Sequence, residues 1–142
     1  RGGRRPDFLA PAGTVNVARG KPVSSSDPEP LTGSLDLITD GDMDALEGRV
    51  VELGPSPQYI TIDLQELCEI YSGVIWHQHR WVRVYLDVVV QVSNDPAFQT
   101  GVRTIFNNDE DNSLGLGAGR DLHYTDTYER QLIHGTSTSH HL

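Results

Sequence analysis

Two short stretches of strict alternation constrain this chain more than any other feature of it. In Tyr59-Ile60-Thr61-Ile62-Asp63-Leu64 the apolar side chains Ile60, Ile62 and Leu64 fall on one face and the polar ones on the other. Asp87 to Ser93 repeats the arrangement, with Val88, Val90 and Val92 set opposite Asp87, Gln91 and Ser93. A period of two is the geometry of a strand, because successive side chains leave opposite faces of the pleat. Both stretches are therefore predicted strands with one buried side, and a helical period of useful length is found nowhere in the chain.

Weaker signals extend the same pattern. Val15-Ala18 reads as a short first strand, Ile70 to His77 as a β-rich run carrying Val74, Ile75 and Trp76, and Val102 to Phe106 as a further strand. Asn94-Asp95-Pro96 ends the Asp87–Ser93 strand, since proline removes a ladder donor and Asn and Asp favour turns. With 14 glycines and 8 prolines among 142 residues, turns are plentiful. Short strands separated by turn clusters point to an all-β domain, a β-sandwich or jelly roll, rather than an alternating α/β fold. The length suits one such domain, assigned here to residues 14–142, with residues 1–13 as a flexible tail or linker.

Charge narrows the partners. Twenty acidic residues against eleven basic ones give a net charge of −9, which repels phosphate backbones and anionic lipid surfaces and argues against nucleic acid. No apolar stretch is long enough for membrane insertion. The single cysteine, Cys68, excludes an internal disulfide framework and reads as a small buried hydrophobe at a strand entry.

Three segments carry candidate chemistry. Leu35 to Asp44 opens a brief apolar patch onto four acids, with Asp40 and Asp42 flanking Gly41, a turn able to offer carboxylates and carbonyls to a hard cation. Solvated acids on an Asp-Gly turn account for the same residues equally well. In the Trp76–Arg83 run, His77 and His79 share one face of a strand, so a metal-dependent enzyme built on them is one alternative. His79, Trp81 and Arg83 supply the aromatic face and hydrogen-bonding groups that a sugar site needs. The loop after Phe106, Asn107-Asn108-Asp109-Glu110-Asp111-Asn112, is dense in oxygen donors and longer than structureless connections usually are, so it is a candidate to hold a second cation or reach a glycan, with a solvated, turn-forming acidic loop the stronger alternative. No catalytic motif such as Gly-x-Ser-x-Gly or His-Glu-x-x-His is present.

Several landmarks fall in an order that resembles a known family. They are Asn16 to Ser26, Thr39-Asp40-Gly41-Asp42, Gln58 to Leu64, Val74-Ile75-Trp76-His77, Asp87 to Ser93 and Phe106 to Ser113. Together, over about Asn16 to Gly135, they resemble the galactose-binding-like (discoidin, coagulation-factor C-type) domains, in a bacterial carbohydrate-binding branch. The resemblance implies a non-catalytic module for a glycan or a cell-surface or matrix polysaccharide, extracellular or periplasmic, as part of a larger multidomain protein. It also implies a structural calcium, held by the carbonyl of Leu37 and the side chains of Asp40 and Asp42, with further oxygens near Arg49 or Val50. A protein-interaction or adhesion module on the same fold is the second alternative. The family's closing strands and final glutamate have no counterpart after Leu132-Ile133-His134-Gly135, so the sheet is expected to lack its last partners.

Overall fold

The structure is a computed structural model and describes residues 9–44, 46–78, 83–122, 124–126 and 131–141. Its regular elements are β1 (Val23–Ser25), a 3₁₀ turn (Leu35–Ile38), β2 (Ile60–Ile75), β3 (Arg83–Tyr85), β4 (Val89–Val92), β5 (Arg103–Asn107), β6 (Tyr124–Asp126) and β7 (Gln131–His141). No described residue belongs to an α-helix, as the period-two patterning predicts.

β2 organises the molecule. Its first residues pair antiparallel with β1, Val23 opposite Ile62, and the remainder pairs antiparallel with β7, from Asp63 opposite His141 to Ile75 opposite Gln131. The two strands expected on either side of Cys68 are thus one long strand with an interruption. Along it the chain advances from Asp63 to Cys68 while β7 moves only from His141 to Ser139. The surplus forms a bulge containing Gln65, whose φ is 65°. A bulge of this kind lets one strand serve two neighbours by re-aiming its course without ending it.

One expectation is corrected near the start of the chain. Val15–Ala18 is not a strand: the Asn16 side-chain oxygen accepts from the Ala18 N–H at 3.0 Å, and the Lys21 N–H closes a turn on the Ala18 carbonyl at 3.1 Å. An asparagine that captures a nearby backbone N–H competes directly with ladder formation. At the other end, residues 131–141 form β7, the antiparallel partner of β2. Its Gly-Thr-Ser-Thr-Ser core lacks apolar alternation, and the ladder to β2 supplies what periodicity does not. The described sheets remain open: β1-β2-β7, the pair β3-β6 and the pair β4-β5.

The β4–β5 hairpin lies against β7, and a small core fills the space between the layers. Leu64, Cys68, Ile70 and Val92 are buried together, with Val17, Ala18, Ile62 and Ile105 packed against them. Leu64 and Val92, each 1% exposed, belong to the two alternating stretches that define the sequence. The packing therefore joins the two stretches across the layers, the arrangement of a sandwich. Cys68 is a free, buried thiol within this core.

Candidate functional site

The antiparallel β4–β5 pair sets Val89 opposite Asn107, so the residues preceding β4 and those following β5 share one end of the hairpin. Two segments meet there: Tyr85-Leu86-Asp87-Val88 and the loop 107–122. Asp87 has φ 54°, a left-handed conformation that aspartate tolerates better than most residues.

The loop is ordered by its own side chains. Asn108 is fully buried, with its amide oxygen accepting from the Val88 N–H at 2.6 Å and its amide nitrogen donating to the Tyr85 carbonyl at 3.0 Å. Asp109, equally buried, accepts through Oδ1 from the Ser113 N–H and hydroxyl and through Oδ2 from the Leu114 N–H. Asn107 donates to the Gly117 carbonyl at 2.8 Å and accepts from the Asp109 N–H at 2.9 Å. Asp121 closes the base, its carboxylate accepting from the Asn107 N–H at 2.6 Å. A Cβ at Gly119 would collide with Asn107, so the return of the loop past β5 requires a residue without a side chain.

Asn107, Asn108 and Asp109, the residues of this loop expected to face a ligand, commit their side chains to these bonds. Their polar atoms build the loop from within, because a buried amide or carboxylate without partners would be strongly unfavourable. The groups that reach solvent are their neighbours. Leu86, Asp87, Glu110 and Asp111 line an open recess of about 260 Å³. Of these, Asp87 and Asp111 each hold a carboxylate oxygen within 4.8 Å of the other's and of one on the buried Asp109. Burial pushes the Asp109 carboxyl up, yet the N–H groups of Leu114 and Ser113, with Asp111 and the Ser113 hydroxyl, more than offset this and hold it below its ordinary value. The recess is thus an anionic feature on a fixed frame, suited to a cationic group. Nothing in the alternation of β4 marked Asp87 or Asp111. The density of acids after Phe106 was the usable signal for Asp109 and Asp111.

Of the other candidates, His77 stacks on the Tyr85 ring with centroids 3.9 Å apart and planes 16° from parallel. The Tyr85 hydroxyl donates to the Gln78 carbonyl at 3.2 Å. Tyr85 therefore links the His77 segment to Asn108, so His77 and the loop belong to one rim. His79 and Trp81 lie outside the described residues, as does the side chain of Arg83, whose backbone in β3 pairs with Asp126. Trp76 is half-buried and stands outside the core cluster.

The Asp-Gly turn lies elsewhere. Thr39 anchors it, its buried hydroxyl donating to the Lys21 carbonyl and its own carbonyl accepting from the Gly20 N–H. Asp40 and Asp42 are brought together, and Arg49 stands between them: its Nη2 is 2.6 Å from Asp42 Oδ2 and 3.4 Å from Asp40 Oδ2. The Asp44 N–H foremost, and then Arg49, hold the Asp42 carboxyl below its ordinary value, while Asp42 raises Arg49. Leu37 lies in the 3₁₀ turn with its N–H donated to the Ser34 carbonyl.

No protein-family model and no curated protein sequence matches the chain. Two solved structures are similar to it. Chitosan-binding module 1 from a chitosanase/glucanase of Paenibacillus sp. IK-5 aligns with a TM-score of 0.56 at 18% identity, covering 90% of this chain and 83% of that one. Chitosan-binding module 2 from the same source, solved in complex with chitotriose, gives a TM-score of 0.45 at 18% identity over 89% and 94% of the respective chains. The first likeness shows the fold, a β-sandwich of the kind used by carbohydrate-binding modules.

Proposed function

We propose that this chain is a non-catalytic carbohydrate-binding module that engages a basic amino-sugar polymer at the acidic recess beside β4 and β5. The observation that carries the reading is the placing of Asp87, Glu110 and Asp111 around an open recess, beside the buried Asp109 carboxylate whose hydrogen bonds order the loop. A sugar ammonium placed there would find carboxylate acceptors for charge-assisted hydrogen bonds, which are shorter and stronger than neutral ones. The exposed Leu86 offers a small apolar contact beside them. The net charge of −9 steers a polycation toward the molecule and repels polyanions. A fold alone does not choose a ligand. The structure similar at TM-score 0.56 is described as a chitosan-binding module, and that description agrees with the sign of the recess.

The experiment is affinity electrophoresis of the full chain in gels containing chitosan, fully N-acetylated chitin oligomers or a neutral glucan. Retardation by chitosan alone, lost in Asp87→Asn and Asp111→Asn, is the expected result. Equal retardation by the neutral polymers would overturn the charge-based selection. Binding to none of them would overturn the carbohydrate reading and favour a protein partner. Release of shortened oligomers during incubation would contradict the absence of catalysis.

A further inference from the structure

The family resemblance implies a calcium held by Leu37, Asp40 and Asp42, and the residues present do not fit one. Calcium requires six to eight oxygens at about 2.3–2.6 Å, facing the ion and not another cation. Here all four carboxylate oxygens of the two aspartates are engaged. Asp40 Oδ1 accepts from the Asp42 N–H at 2.7 Å, and Asp42 Oδ1 accepts from the Asp44 N–H at 2.9 Å. The remaining pair, Oδ2 of each residue, converges on one guanidinium: Arg49 Nε donates to Asp42 at 2.9 Å, and Nη2 reaches both. A second cationic side chain lies close by. A Cβ at Gly41 would sit 3.0 Å from Arg19 Nε, so Arg19 runs across the turn at its glycine, whose φ is 85°. An ion entering the turn would have to displace a guanidinium that stays charged at any accessible pH and would meet like charge from both arginines.

We propose that Arg49 takes the structural place of a divalent cation in this chain, closing the Asp40–Asp42 turn onto the 46–49 segment so that this part of the fold does not call on calcium. The guanidinium is suited to the task because it is planar and presents several donors in a fixed fork, bridging two carboxylates as an ion would. The segment that would supply carbonyl oxygens to a metal supplies a side-chain cation instead.

The test is thermal unfolding of the full chain, of Arg49→Gln and of Arg49→Lys, each in chelator and in millimolar calcium. The wild-type midpoint is expected to be the same in both solutions. Arg49→Gln in chelator is expected to fall by about 2–4 °C, the scale of a partly exposed charge pair in a domain of this size. Arg49→Lys, which keeps the charge and loses the fork, is expected to fall between the two and serves alone should Arg49→Gln not fold. A wild-type midpoint that rises with calcium, through a gain abolished in Asp42→Asn, would overturn the proposal. A gain that survives in Asp42→Asn places the ion elsewhere and leaves the proposal standing. An Arg49→Gln midpoint equal to wild type in chelator would also overturn it.

Discussion

Asn108 uses a fully buried amide to hold two backbone segments at once, the N–H of Val88 and the carbonyl of Tyr85. Removing it leaves both part-buried groups without this partner. Asn108→Ala is therefore expected to cost about 2 kcal/mol, the usual scale for unsatisfied buried polar groups, measured by urea denaturation. Asn108→Asp should be at least as harmful, because it replaces the donor to Tyr85 by an acceptor. The sequence made the segment conspicuous through its run of Asn and Asp, yet it could not say which of these side chains point inward. That depends on the pairing of β4 with β5, and strand register is a long-range property. The same limit applied at Asp40 and Asp42. Their proximity was legible from two residues of separation, whereas the arrival of Arg49 between them depends on the course of the intervening turn.

The loop 107–122 behaves as a unit built on reciprocal bonds. Asn107 and Asp121 hold each other at its base, and the Gly119 N–H donates to the Asp109 carbonyl at 2.7 Å. A methyl group at Gly119 cannot be accommodated without moving Asn107, so Gly119→Ala is expected to destabilise by about 1–3 kcal/mol, as overpacked sites do. Hydrogen exchange should show the loosening at 107–122 before it appears at Leu64 or Val92. Acid should act on the same element. Asp109 is held below its ordinary value of 3.8, so its contribution is complete above that pH and is lost as the pH falls through the lower folded-state value. Amide protection of Ser113 and Leu114 is expected to persist at pH 5 and to decline below the ordinary carboxylate range. Protection unchanged through that decline would contradict the role given to Asp109. At this scale β4 and β5 were readable from alternation and the turn at Asn94. β7 was not, because a Thr- and Ser-rich strand owes its place to its neighbour and not to an apolar face of its own.

The whole molecule stands on a small core. Leu64 and Val92 meet across the layers, and few other described apolar side chains are equally buried. Leu64→Ala should remove about 2–5 kcal/mol, a large share of the 5–15 kcal/mol typical of a domain, and should lower both the urea midpoint and the thermal midpoint. The sandwich was foreseeable because its inner faces are the two alternating stretches. The acidic recess was not, since it arises only when the ends of β4 and β5 come together, bringing Asp87 to Asp109 and Asp111. The account of function rests on that meeting. An amide-resolved NMR titration of the full chain with a short glucosamine oligomer tests it most directly. Saturating shifts at Leu86–Val88 and Glu110–Asp111, reduced in Asp87→Asn, are the predicted result. Shifts concentrated on the Asp40–Arg49 turn or around the exposed Tyr59, with the recess silent, would contradict it.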